Sequence, residues 1–424
     1  MNVGAAEIDI TPDFPVELSG FALRPQPSAG VTDPIFARAL YLDHGGERLL
    51  WIACDVIALE RDFVEHFRAW ARAELGLESR QVLLSATHTH TAPATIHLNA
   101  AGAYSAPYVA LLRKKLEEVA RQATADTEAC DLVSAFAPLD LAIDRRGKPT
   151  AHVDRQVSAL AWKRRDRPGY AAACINYAMH PVSYGREFRQ ISADWCRSAS
   201  LGISRALSGI PVTLVSNGAA GNINPPLMDQ PPEVAAAYGQ RICDAVLPAL
   251  HDAQPRAVDR FSVRSTTVPL PLDYLDADGI DRAAECRLAD SPPGWVLAEP
   301  IREAVAIWRQ AMKRLVAAGG GREIPIELGA IAIGDVTIVT TNGEMFSRFT
   351  DDVRQRTTPN LFVVAYANAA FGYIPTRQAF AEGGYEVETA HFFYNSFRPK
   401  PGGLELLADR AVELVNSVNS LNSL

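Results

Sequence analysis

Gln81-Val82-Leu83-Leu84-Ser85-Ala86-Thr87-His88-Thr89-His90-Thr91-Ala92-Pro93 is the stretch on which the fold turns. Gln81–Ser85 is a short apolar run between polar neighbours, which reads as a buried strand. An amphipathic helix is expected before it over 60–75, with Phe63, Phe67 and Ala71 at helical spacing and Gly76 as its stop. Before that helix, 38–43 and 48–59 read as a hairpin around His44-Gly45-Gly46. A second helix follows over 107–124, with Tyr108, Leu111, Leu112, Leu116 and Val119 on one face. Strand, helix, strand, helix is the rhythm of an α/β fold.

The rhythm continues outward. Val157–Trp162 and Tyr170–Tyr177 read as a hairpin through Pro168-Gly169. Helices over 194–207 and 233–250 flank an apolar strand at Pro211–Ser216. Residues 258–270 alternate as a strand, 271–296 are loop-rich around Ser291-Pro292-Pro293-Gly294, and 297–317 read as a helix closed by Gly319-Gly320-Gly321. A hairpin over 324–341, a strand at 361–367 and a terminal helix over 403–418 complete the chain. The expectation is one large α/β domain over residues 1–424, a mixed sheet or sheets flanked by helices, with 271–323 as an excursion.

Composition narrows the function classes. The 424 residues carry 41 Lys plus Arg against 49 Asp plus Glu, a net charge of −8 without any basic block. That speaks against nucleic acid and against an anionic membrane surface. No run approaches the roughly 18 apolar residues of a membrane-spanning helix. The N-terminus shows no signal-peptide pattern, so the cytoplasm is the expected compartment. The six cysteines are scattered with no CxxC pair, as expected of buried thiols rather than disulfides or a thiolate zinc site.

Five segments could carry chemistry. His88 and His90, two apart, would project to one face of an extended chain at a strand's carboxyl end, where α/β sheets place their sites. Two imidazoles wrapped in four hydroxyl residues suit a metal ion; the competing reading is a polar loop of hydrogen-bonded histidines. His180, ending the apolar run before Pro181, gains weight as a third ligand beside that pair. The small residues at 218–221, with Asn222 and Asn224, suit an anion nest or a tight Asx turn. Glu344, ending the 335–341 strand, is a candidate carboxylate ligand or a helix-start residue. Tyr373 and Tyr385, each beside glycine, suggest two placed phenols, against the alternative of core aromatics.

Taken in order, these segments resemble the catalytic domain of the neutral (non-lysosomal) ceramidase family. The matching pieces are Val3-Gly4-Ala5, Asp9-Ile10-Thr11-Pro12, Ser19-Gly20-Phe21, Asp55, the THTHTAP loop, the NYAMHP segment, 191–194, the 216–225 turn, Asn342-Gly343-Glu344 and the FGYIPT…GGYE tail. The resemblance implies zinc held by His88, His180, Glu344 and, more weakly, Tyr373. It implies that His90 faces the substrate, that Tyr385 hydrogen-bonds the developing oxyanion, and that an arginine of the 144–147 segment contacts substrate, Arg146 ahead of Arg145. Ceramidases carry a serine in the active-site turn; here Asn224 occupies that place and Asn222 replaces an aspartate. An amide cannot supply an alkoxide. The chain also ends without the further C-terminal domain of those enzymes, which argues against ceramide itself.

The resulting expectation is a zinc-dependent hydrolase cleaving an amide, or another acyl bond, of a soluble small molecule in the cytoplasm, with zinc-activated water as nucleophile. His90 or Asp194 would take the proton, Asp194 alternatively capping the helix after it. Tyr385 and the 218–221 backbone would stabilise the oxyanion and Arg146 would fix a polar part of the substrate. Gly218, Asn222 and Asn224 would line the substrate's side. Two other readings compete: an amidohydrolase-type parallel barrel, which also opens with His-x-His, and an inactive, ligand-binding relative.

Overall fold

The computed structural model describes residues 1–22, 24, 26–207, 212–290 and 298–420. Pro211, the first residue of the expected 211–216 strand, and the Ser291–Gly294 turn lie outside the described residues.

Eight strands make the larger sheet. They are β1 (Asn2–Asp9), β2 (Phe36–His44), β3 (Glu47–Cys54), β4 (Val82–Ala86), β5 (Glu128–Pro138), β6 (Gln156–Arg164), β7 (Tyr170–Tyr177) and β8 (Thr213–Asn217). Their spatial order is β8-β7-β6-β5-β1-β2-β3-β4. The outermost pair at each edge, β3–β4 and β7–β8, is parallel, and the interior pairs are antiparallel. Each parallel pair needs a crossover, supplied by helix α1 (Arg61–Leu75) at one edge and, after α2 (Ala106–Ala125), by α3 (Trp195–Ala206) at the other. A second, four-stranded sheet runs β9 (Phe261–Pro271), β10 (Glu323–Ile333), β11 (Val336–Thr341) and β12 (Leu361–Val364) in that order, with only β11–β12 parallel. Both sheets are mixed and open, so the parallel-barrel expectation falls.

Strand alternation produces four layers. Along β2, Ala37, Ala39 and Tyr41 face the core shared with α1–α3 and α4 (Pro232–Asp252), while Leu40 and Leu42 face the second sheet. Trp51, Leu83, Trp162 and Leu214 of the first sheet meet Ile331, Ile338, Phe362 and Val364 of the second in that inter-sheet core. The outer face of the second sheet, with Leu328 and Val363, is covered by α5 (Ala277–Ala289), α6 (Ala298–Ala317), α7 (Arg348–Arg356) and, after the short α8 (Arg377–Glu382) and α9 (Tyr385–Glu388), by α10 (Gly403–Asn419). The order is helices, sheet, sheet, helices.

Three elements differ from the sequence reading. A helix, α5, stands where 271–296 reads as loop, because Ile280 and Ala284 close onto Trp308 of α6. Together α5 and α6 form the excursion between β9 and β10, packed into the outer core. The strands β1 and β5 were not anticipated; β5 alternates only weakly in polarity because both its faces are covered. No helix among the described residues is long and apolar enough to cross a membrane.

Candidate metal and active site

Four site-bearing segments leave strand carboxyl ends. β4 runs into the His88–His90 loop, β7 into His180, β8 into the 218–224 turn and β11 into Glu344. β4 and β8 are opposite edges of the large sheet, so something must bring them together. Asn217, fully buried at the end of β8, does so. Its Nδ2 donates to the carbonyls of Thr87 and Met179, and its Oδ1 accepts from the Met179 N–H. The chain after β12 closes the remaining gap: the Ala365 N–H donates to Asn217 O, the Ala86 N–H to Tyr366 O, and the Leu84 N–H to Asn368 Oδ1.

The histidine loop is not extended as the spacing implied. His88 has φ +69°, in the left-handed region, with its N–H donating to Val56 O. The two imidazoles meet through this turn, their centroids 5.1 Å apart at 76°. His88 stacks on Tyr366 at 4.0 Å, and His180 stands 4.9 Å from His88. One ring nitrogen from each of His88, His90 and His180 falls within 4.8 Å of the others.

The hydrogen bonds state which atoms face inward. Nδ1 of His88 lies 2.6 Å from Ile57 O, and Nδ1 of His180 lies 3.0 Å from Ile223 O. A carbonyl only accepts, so both Nδ1 atoms carry the proton and both Nε2 atoms present lone pairs. Those lone pairs meet Glu344 Oε2, at 3.5 Å from His88 and 3.1 Å from His180. Three acceptors converging in a buried place repel unless a cation sits among them. Burial pushes His180 down to about 4 despite the carboxylate beside it, and burial with the two neighbouring histidines pushes His90 well below its ordinary value. Burial would lift Glu344, but His88 and His180 overcome it and hold its carboxyl well below the usual range. Neutral imidazoles around an ionised carboxylate are the protonation states a divalent ion requires. Both ring nitrogens of His90 are buried without a hydrogen-bond partner, so the ion could take either Glu344 or His90 as a further ligand. The residues fit a metal.

A cavity of about 170 Å³ opens beside this cluster, walled by Gly20, Ala22, Ile57, Leu98, Ala101 and Phe393, with His90, Glu344, Tyr373, Tyr385 and Tyr394 as its polar side. Tyr373 is paired with Glu344 in a short bridge, and Tyr385 lies 5.7 Å from it and is exposed at the mouth. The phenol whose oxygen reaches Glu344 Oε1 is Tyr394, a residue the sequence reading missed. Tyr366 was missed as well. Both lie in apolar runs where a core aromatic is the natural reading, and no local signal marks them.

The remaining expected site residues are placed as follows. Arg145, not Arg146, faces the tyrosines: its guanidinium lies 5.4 Å over the Tyr373 ring and bonds to Glu386, Asn224 Oδ1 and Gly221 O. Arg146 turns away to Glu382, Glu386 and the Gly383 carbonyl. Asp194 caps α3 at the Trp195 N–H and binds Ser183 through both carboxylate oxygens; burial raises it to about 6. That carboxylate is committed to structure and lines no part of the cavity. Asn222 is likewise saturated, donating to Asp144 and His152 O and accepting from the Ser347 N–H. Asn224 accepts from Arg145 and donates to Met228 Sδ, which makes it a holder of Arg145. The Gly218 N–H is spent on Tyr177 O and the Gly221 N–H on Met345 O, and a Cβ on Gly218 would meet that of Ala178 at 2.8 Å. These glycines serve close packing of the turn, and their two N–H groups are not open to an oxyanion.

Comparison with known proteins turns on the fold. No protein-family model and no curated protein matches the sequence. Two solved structures match nearly all of it. The neutral ceramidase from Pseudomonas aeruginosa superposes with a TM-score of 0.73 at 18% identity, over 98% of this chain and 74% of that one. A ceramidase complexed with C2 gives 0.77 at 17% identity, over 99% and 75%. The fold is that of the neutral ceramidases.

Proposed function

We propose that this chain is a zinc-dependent hydrolase that cleaves an amide, or another acyl bond, of a soluble small molecule. The observation that carries the reading is the convergence of the His88 and His180 Nε2 atoms on Glu344 Oε2, each imidazole oriented from behind by a backbone carbonyl. A zinc ion held by His88, His180 and Glu344 would supply Lewis-acid polarisation of the carbonyl and would acidify a water towards neutrality. His90, unprotonated and unpartnered at the cavity wall, is placed to accept a proton at a ring nitrogen. Tyr385 and Tyr373 stand where a developing oxyanion can receive a phenolic proton. Arg145 fixes the tyrosine side. Asn224 supplies no nucleophile, which is why water takes that role. The likeness to the ceramidases supports acyl-amide chemistry, and the small cavity and the net charge of −8 support a soluble substrate rather than a membrane lipid.

The test is metal content and turnover together. Purified protein is expected to hold close to one zinc, lost in His88→Ala and His180→Ala with the circular dichroism spectrum retained. A screen of N-acyl amino acids, short acyl amides and esters is expected to show turnover that chelator removes and zinc restores. Equal zinc in both variants would sink the proposal. The absence of nucleophile at Asn224 favours one other reading, a ligand-binding relative; tight binding of a screened compound with no turnover would select it.

A further inference from the structure

Arg24 is a cation without a counter-ion at the edge of this site. It is half-buried, and among the described residues no carboxylate lies within ion-pair distance of it. Its hydrogen bonds all go to backbone carbonyls: Nε donates to Arg186 O at 3.2 Å and one terminal nitrogen donates to His90 O at 3.0 Å. The other terminal nitrogen is buried and has no partner among the described residues. The guanidinium lies 5.3 Å over the Phe21 ring, and Phe21 stands edge-on to His90 at 5.2 Å. Burial alone lowers its pKa, to about 10, which leaves it charged at neutral pH.

A half-buried guanidinium whose one buried nitrogen has no acceptor, and which has no anion beside it, carries an uncompensated desolvation cost. Cation–π contact with Phe21 offsets part of it. The rest is met when an anion arrives. Arg24 lines a pocket of about 380 Å³ that shares Leu98 and Ala101 with the cavity beside Glu344, so the two are neighbours across that wall. Two carboxylates line the same pocket, Glu17 and Glu303; Glu17 Oε2 is taken by the Ala103 N–H, and neither pairs with Arg24.

We propose that Arg24 is a specificity-determining residue that pairs with a carboxylate on the leaving side of the substrate, so that the substrate class is a short-chain N-acyl amino acid. This rests on the hydrolase reading above and deepens it. The small apolar cavity beside Glu344 admits a compact acyl group against Ile57, Leu98 and Phe393. Arg24, joined to His90 through its carbonyl, then holds the carboxylate next to the bond to be cleaved. A single guanidinium with one unpartnered terminal nitrogen suits one carboxylate oxygen better than a phosphate, which calls for several cations.

The test uses two compounds of equal length, N-butyrylglycine and its uncharged counterpart N-propylbutyramide, on the zinc-loaded protein. The wild type is expected to prefer the carboxylate at least tenfold in kcat/KM, with the difference in KM, and to gain thermal stability from N-butyrylglycine only. Arg24→Gln is expected to erase both the preference and the thermal upshift. Arg24→Lys, which keeps the charge, is expected to restore part of each, a result that mere loss of packing would not produce. Hydrolysis of both compounds at equal kcat/KM would overturn the role of Arg24 and leave the hydrolase intact. An upshift dependent on Arg24 without any hydrolysis would do the reverse. No preference together with no upshift overturns the proposal.

Discussion

Gly20 and Tyr394 show how much of the site depends on single atoms. Gly20 has φ +96°, and a Cβ there would meet the His90 ring at 2.5 Å. Gly20→Ala is therefore expected to displace His90, costing about 1–3 kcal/mol in overpacking and backbone strain. Thermal melts should register the loss, and kcat/KM should fall further than the melt implies. Tyr394 donates to the Glu344 oxygen that does not face the histidines. Tyr394→Phe keeps the ring and removes that donor, so zinc affinity is expected to fall roughly 10–100-fold, measured by competition with a chelator. Unchanged affinity would mean that Glu344 is oriented by its bridge to Tyr373 alone. The residue types at His88, His90, His180 and Glu344 were legible in the sequence as ligand chemistry. Tyr394 and Arg24 were not, because nothing within a few residues of them distinguishes a functional side chain from an ordinary one.

Elements supply what single residues cannot, and Asn217 is the joint between them. β4 and β8 are the two edges of an eight-stranded sheet, and their carboxyl ends are joined through this side chain and the 365–368 segment. Asn217→Ala leaves two carbonyls and one N–H buried and unmet, an expected loss of about 2–4 kcal/mol. Urea unfolding would measure it. Because the same bonds position the loops of His88 and His180, zinc occupancy is expected to fall in the folded fraction too. Occupancy equal to wild type would separate the clamp from the site. The strands that carry these loops were readable from apolar runs and turn residues. The helix α5 was not, since its packing partner lies on α6, and β1 and β5 were not, since strands covered on both faces lose their alternation.

At the scale of the whole molecule, burial of neutral histidine sets the acid limit. His180 is held down to about 4 and His391 to about 3, both by burial first, so between those values and about 6.5 the unfolded chain binds more protons than the folded one. Stability then rises with pH across that window and is fully present above it. Asp194, raised by burial to about 6, acts in the opposite sense, since its folded form holds a proton that the unfolded form has lost. Two histidines outweigh one aspartate, and metal-free protein is expected to lose a few kcal/mol between pH 7 and pH 4.5. Denaturant melts at both values check this, with His391→Gln flattening the slope. A flat profile in the wild type would refute it.

The α/β class, the mixed sheets, most helix positions and the residue types of the candidate ligands were determined by the sequence alone, because periodicity, turn residues and donor chemistry are local properties. Tertiary structure decided the rest. It placed Arg145 rather than Arg146 at the tyrosines, committed Asp194 and Asn222 to capping and packing, and set Tyr394 on Glu344. Apart from the Asp194 cap, whose partner is the next residue, each of these depends on which distant group fills the other end of a contact. Partners 50 to 241 positions away, as for Tyr394 and Arg145, leave no trace in the residues on either side.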